Sequence, residues 1–370
     1  MKPTPMSRRE FLKESSLAAT GLAVAASSPL AFAADAKPEE RNKQAGMRYR
    51  VLGRTNLLVS ELSLGGVGLQ AAILEAALDK GVNLVHVADA YKGCLPEAAK
   101  VVKTKRAKMF IAAKSIGTVE QVDAWLKTLE TDHVDIIMQP ISAVAGAKDN
   151  AAQVKEKFEA LKKAGKARFL GITCHSNVEE VTRAAVEAGV WDVINPQYGP
   201  PMREKLDPIL AEAKKKNLGM VAMKAFAGAK DIKPEVALKT ALANKNMDSV
   251  WKGISSVQML DTLVKAVNEP LTARERDEFW RQVAAQRSST CAMCSACLGC
   301  PRGVAVEEIL RCSLYYQQQL RQPDYARAVY HQLSSAQTPA NCADCGRCEK
   351  VCPNRLPVRQ LLRDAHQALA

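Results

Sequence analysis

A chain of 370 residues, 47% hydrophobic and 25% charged, holds enough apolar material for one large domain and a small one, which excludes a disordered tail or a fibre. Its formal charge of +13 is spread along the chain, and no basic stretch is interleaved with aromatics. Nucleic acid is therefore not an expected partner, and a solvated basic surface that meets an acidic redox partner is the plainer meaning.

The first 33 residues read as an export signal. "SRREFLK" (7–13) precedes an apolar run from Leu17 to Ala26 and then "PLAFAA", whose Ala31 and Ala33 suit a small-residue cleavage site. Arg8-Arg9 followed by Phe11, Leu12 and Lys13, with an Ala/Gly-rich run behind, resembles a twin-arginine signal. That resemblance implies export to the periplasm by the twin-arginine translocase of a protein already folded around a cofactor. Residues 34–46 follow as a linker.

From residue 47 to 272, short β-branched runs alternate with helical ones. Strands are predicted at "ELSLGGV", "NLVHVA", "MFIAAK", "HVDIIMQ", "ARFLGITC", "WDVINP", "GMVAMKA" and "SVWKGIS", with a helix after each. Eight strand–helix units in roughly 225 residues fit an α/β fold of the (β/α)8, or TIM, barrel type, whose usual length is about 250. An open doubly wound sheet is the alternative, but no G-x-G-x-x-G follows the first strand. In a barrel the chemistry sits at the C-terminal strand ends, which puts Tyr91, Lys114, Cys174, His175 and Lys224 around one mouth.

Residues 273–370 hold eight of the eleven cysteines in two runs. The second, "CADCGRCEKVCP" (Cys342, Cys345, Cys348, Cys352), has the C-x2-C-x2-C-x3-C-P spacing of bacterial 4Fe-4S ferredoxins. The first, "CAMCSACLGCP" (Cys291, Cys294, Cys297, Cys300), is one residue shorter before its last cysteine. Two-cluster ferredoxins lend the last cysteine of each run to the other cluster. The resemblance thus implies one 4Fe-4S cluster on Cys291, Cys294, Cys297 and Cys352 and a second on Cys342, Cys345, Cys348 and Cys300. Zinc knuckles and disulfides are the competing readings, although zinc has no use for a Cys-Pro closing each run and disulfide frameworks belong to small chains without another core. Covalent c-type haem is excluded because no C-x-x-C-H occurs. Arg302, Arg311, Arg347, Arg355 and Arg359 are expected to offset cluster charge. The two segments between the runs, 304–320 and 323–333, have helical periodicity, so this ferredoxin-like domain is expected to be small and mostly helical, with Cys312 a buried apolar residue.

"YRVLGRTNLLVSELSLGG" (49–66), "GVNLVHVADAY" (81–91) and "GISSVQMLDTLVKAV" (253–267) resemble, in order, the opening, second strand and last strand–helix of an aldo-keto reductase. The cysteine runs are similar to the C-terminal extension of that family's iron-sulfur branch. The family's catalytic tyrosine falls on Tyr91 as proton donor to a carbonyl oxygen, and its lysine on Lys114, expected to lower the tyrosine pKa. The aspartate position carries His86, a substitute proton relay or simply a core histidine, and the histidine position carries Pro140, five residues after Asp135. For NADPH the family pattern implies Thr173 or Ser176, Asn195 and Tyr198, whereas Gln258 and Leu263 replace the glutamate and asparagine of the last helix. The tetrad is therefore degenerate and the dinucleotide site eroded. The expected function is an exported iron-sulfur oxidoreductase that takes electrons from a membrane or cytochrome partner and acts on a small carbonyl compound. An NADPH-dependent aldo/keto reductase and a non-enzymatic electron carrier or scaffold are the alternatives. Cys94 and Cys174 are expected to pack rather than react.

Overall fold

The computed structural model describes residues 37–226, 232–319 and 323–370, so the segment read as an export signal lies outside the described residues. Described residues 37–370 form one compact unit. Three short strands come first, β1 (Glu39–Glu40), β2 (Tyr49–Val51) and β3 (Leu57–Ser60), with β3 between the others. Eight more follow: β4 (Leu62–Leu64), β5 (Leu84–Val87), β6 (Phe110–Ala113), β7 (Val134–Ile141), β8 (Ala167–Cys174), β9 (Val193–Pro196), β10 (Gly219–Ala222) and β11 (Ser249–Lys252). All eight coincide with the predicted runs. They pair parallel in chain order and β11 closes on β4, which makes the (β/α)8 barrel.

Period-two alternation sorts each strand between two cores. Leu84, Phe110, Ala112, Ile136, Met138, Val193, Val221 and Trp251 fill the barrel interior, and Leu52, Leu57 and Val59 of the β2–β3 hairpin plug its floor. The alternate residues, among them Val85, Ile111, Ile137, Leu170 and Ile194, face the surrounding helices. Helices start where the sequence supplies caps. Thr118 and Gln121 form a capping box for 119–129, Ser256 caps 257–268, and Thr272 with Glu275 does the same for 273–285.

Two boundaries differ from the expected domains. Part of the segment read as a linker is tied down, because Arg41 reaches the Met109 carbonyl and Asp135 while Asn42 donates to the Leu78 carbonyl. The helix 273–285 packs on the barrel, with Phe279 against Val236 and Ala237. Arg203 lies 5.1–5.8 Å from the rings of Tyr198, Phe279 and Trp280. The cysteine-bearing segment that follows is helical and strand-free among its described residues, with helices at Val306–Leu314, Pro323–Tyr330, Arg347–Lys350 and Val358–Leu369 around a core that includes Cys312. A π-helical turn, Tyr315–Gln319, continues the first of them. No described helix is long and apolar enough to cross a membrane.

Candidate functional site

The C-terminal strand ends open on a cavity of about 80 Å3 lined by Gly65, Gly66, His86, Tyr91, Lys114, Thr173, His175, Asn195, Lys224, Trp251 and Tyr315. Alternation explains the membership. On β8 Thr173 points in, Cys174 out and His175 in again, so Cys174 leaves the predicted mouth and meets Thr182 of the next helix at 3.6 Å. Burial pushes the Cys174 thiol up to about 11, and Cys94 is likewise buried with its thiol pushed up to about 11. Lys224 follows Met223 at the end of β10 and reaches the mouth with a φ of +52°, a left-handed conformation that is costly for a lysine. Gly66 is required where the first loop crosses β5, because a Cβ there would lie 2.5 Å from the His86 carbonyl oxygen.

Lys114 Nζ lies 3.0 Å from His175 Nε2. Burial, helped by Arg311, brings the Lys114 ammonium down to about 8. Burial and then Lys224 and Lys114 press the His175 pKa well below the usual range, so its imidazole is neutral at pH 7 and Nε2 accepts from Lys114. The expected lysine–tyrosine coupling is corrected here. Lys114 stands 6.0 Å from the centre of the Tyr91 ring, burial raises the Tyr91 pKa above the usual tyrosine value, and the cation that opposes this is Arg311. His86 stacks on Trp251 with ring centres 4.2 Å apart and meets Tyr91 edge-on at 5.7 Å. Burial lowers its pKa to about 3, so it does not titrate near neutrality and can relay a proton only as a neutral ring. Pro140 is exposed and lines no part of the cavity, whereas His175 stands one strand over, two residues beyond Thr173, the residue paired with Pro140. Asp135 is at the opposite end of β7, fully buried against Arg106, Arg168 and Arg41.

The four residues read as a dinucleotide site are divided. Thr173 and Asn195, adjacent in register, face the cavity. Ser176 instead donates to Glu307 Oε1 at 3.0 Å, a contact with the C-terminal segment. Tyr198 is buried away from the mouth and donates to Asp207 Oδ1 at 2.5 Å. The C-terminal segment also brings Asn177 N to Ser295 Oγ and Gln197 Nε2 to the Met293 carbonyl, at 3.0 and 3.2 Å, and inserts Tyr315 into the mouth. Sequence reading placed His175 and Lys224 at the mouth without a role and missed Trp251 and Tyr315. The π-helical turn carrying Tyr315 is a common mark of functional sites, but its periodicity is indistinguishable from an ordinary helix in the sequence.

All eleven cysteines are free, and the eight in the two runs surround two hollows of nearly equal size. One is lined by Cys291, Cys294, Cys297 and Cys352 together with Glu307. The other is lined by Cys300, Cys342, Cys345 and Cys348, with Cys297 shared. The ferredoxin resemblance groups the same cysteines, apart from Cys297, which lines both hollows. Among the described residues no three His, Cys, Asp or Glu side chains converge closely enough for a single metal ion. Left-handed residues at Met293, Ser295, Asp344 and Gly346 bend the backbone between cysteines, and the amides of Met293 and Asp344 donate to Cys291 Sγ and Cys342 Sγ at 3.4 Å. Such N–H donors favour thiolate sulfur, and the residues present fit a 4Fe-4S group in each hollow. Burial otherwise pushes the Cys291 and Cys297 thiols up to about 12. Arg302, Arg347 and Arg359 line the second hollow, but Arg311 turns to the barrel mouth and Arg355 lines neither.

Residues 69–231 match the aldo/keto reductase family model. The chain is 25% identical over 288 residues to the L-galactose dehydrogenase of Arabidopsis thaliana, covering 60% of this chain and 89% of that one. It is 28% identical over 152 residues to the uncharacterized oxidoreductase YqkF of Bacillus subtilis, covering 34% of this chain and 49% of that one. Among solved structures, the holo form of aldo-keto reductase AKR11C1 from Bacillus halodurans superposes with a TM-score of 0.55 at 22% identity, over 64% of this chain and 96% of that one. None of these alignments need include the cysteine runs, since the family match ends at residue 231 and the solved barrel spans under two-thirds of this chain.

Proposed function

From the premise that the barrel carries an aldo/keto reductase family domain and leans to an oxidoreductase, we propose that this protein is an exported iron-sulfur oxidoreductase that reduces a small carbonyl compound at the barrel mouth. In this reading the twin-arginine route delivers it to the periplasm, and a membrane or cytochrome partner supplies electrons in place of NADPH. Bound in the two cysteine hollows, 4Fe-4S clusters would supply electrons one at a time.

What supports the reading above all is the adjacency of the first hollow to the mouth. Glu307 lines that hollow and accepts from Ser176 at the end of β8, while Lys224 at the mouth and Cys291 in the hollow are near enough to influence each other's charge. The same docking takes Ser176 out of the dinucleotide set. Reduction of a carbonyl to an alcohol consumes two electrons and two protons. Tyr91, its hydroxyl kept protonated by burial, orients the carbonyl oxygen, Lys114, at about 8, gives one proton near neutral pH, and solvent supplies the second. His175 fixes the Lys114 ammonium, taking up in the neighbouring strand the place that Pro140 leaves without a proton donor.

The test is anaerobic purification with iron and sulfide analysis and EPR of the reduced protein, then NADPH titration and dye-coupled turnover of small carbonyl compounds by the parent and Tyr91→Phe proteins. About eight irons, no NADPH binding, and turnover that falls sharply in Tyr91→Phe support the proposal. Zinc in place of iron, tight NADPH binding, or equal turnover by the two proteins would overturn it.

A further inference from the structure

The barrel mouth holds an unusual excess of buried donors. Lys224 is 8% exposed, yet its Nζ has no hydrogen-bond partner, and the same is true of Trp251 Nε1 and His175 Nδ1. Since His175 Nε2 accepts from Lys114, its Nδ1 carries the proton and is a third unused donor. All three belong to residues that line one cavity. An amine left in that state loses its hydration without replacement, and that burial, with Arg311 and Lys114 beside it, presses the Lys224 pKa well below the usual lysine range.

The charges around the cavity point the same way. Lys114 and Lys224 line it and Arg311 acts on both, whereas no aspartate or glutamate lines it among the described residues, and His86 stands where the family pattern has its aspartate. Glu307 acts on Lys224 from beside the first hollow, where its Oε1 accepts from Ser176, but it forms no ion pair with the lysine. Lys224 Nζ instead faces the Tyr315 ring at 5.8 Å. Neutral carbonyl compounds offer one acceptor, whereas a carboxylate offers two charged oxygens with about four acceptor sites.

We infer that the mouth is built for an anionic substrate, a small 2-oxo acid, whose carboxylate is received by Lys224 with His175 Nδ1–H and Trp251 Nε1–H, leaving the adjacent carbonyl to Tyr91 and Lys114. The inference rests on the reading of the mouth as the substrate site and adds its substrate class. Lys224 and Trp251 are binding residues in this scheme. The left-handed backbone at Lys224 is the strain accepted to turn its side chain inward.

The experiment is anaerobic calorimetric titration of the full mature chain with pyruvate and, as the uncharged control, methyl pyruvate, with no turnover. Pyruvate binds at least tenfold tighter than methyl pyruvate in the parent protein. Lys224→Met lowers pyruvate affinity at least tenfold, lowers methyl pyruvate affinity less, and melts at a higher temperature than the parent without ligand, because a buried unpartnered amine is gone. Lys224→Arg retains the preference for pyruvate. A parent protein that binds the two compounds equally overturns the inference whatever the variants do, and so does a folded Lys224→Met protein with undiminished pyruvate affinity. If pyruvate binds as stated but Tyr91→Phe reduces carbonyl compounds at the parent rate, the proposed reaction fails and the anion site stands. The reverse pattern removes the anion site and leaves the reaction.

Discussion

Lys252, the last residue of β11, is 9% exposed and its ammonium lies 5.3 Å from the centre of the Phe226 ring. No described carboxylate forms an ion pair with it, and burial brings its pKa down from 10.5 to about 8. The depressed value means that the folded state holds this proton more weakly than the unfolded chain. Stability therefore carries the full cost below pH 8, regains it as pH rises from about 8 to 10.5, and is free of it above that. A 2.5-unit difference corresponds to about 3 kcal/mol at pH 7 and to less than about 1 kcal/mol at pH 10. Lys252→Met keeps the unbranched stem and removes the charge, so it should stabilise the protein by about 3 kcal/mol at pH 7. With an unfolding entropy of about 2.1 cal/mol/K per residue over 370 residues, that is a rise of about 4 °C in melting temperature. The assay is paired anaerobic melts of parent and variant at pH 7 and pH 10, in which the difference cancels every other titrating group, Lys114 included. A variant that melts below the parent at pH 7, or a difference as large at pH 10 as at pH 7, would refute the reasoning.

Asp135→Asn at the barrel floor should act in the opposite sense, since it strands Arg106 and Arg168 beside a neutral group and weakens the bond accepted from the Ile111 amide. A loss of about 3–5 kcal/mol, or about 4–6 °C, is expected in the same melts, with pyruvate affinity per folded protein unchanged. For the cysteine hollows, Cys345→Ala should lower bound iron to about half while Cys312→Ala, which alters only a fully buried packing residue, leaves it intact; iron and sulfide analysis of both proteins separates ligand from filler.

Much of the architecture was legible because it is written in local patterns. Each of the eight strands is a short β-branched run whose burial on both faces needs no distant partner to be recognised, and the closed order follows from parallel strands joined by right-handed helical crossovers. The cysteine grouping was legible for a related reason. Two-residue spacing keeps successive cysteines of a run close together, and Cys352 and Cys300 each line the hollow of the other run. Side-chain direction within the mouth was less accessible. Cys174 and His175 are neighbours in the sequence and lie on opposite faces of β8, and alternation alone would turn Lys224 outward after Met223 were it not for its positive φ.

What the sequence determined by itself, then, was the set of elements and the cysteine runs, because periodicity and spacing are properties of neighbouring residues. Only the tertiary structure decided what those elements enclose. Glu307 and Ser176 are 131 positions apart and meet because the C-terminal segment lies over the strand ends, and Lys114 and His175, 61 positions apart, meet because two strands converge on one mouth. The charge states follow from that convergence. Burial among other cations, not residue type, brings Lys114 to about 8 and keeps His175 neutral, since desolvation depends on everything that surrounds a group and not on what adjoins it in the chain.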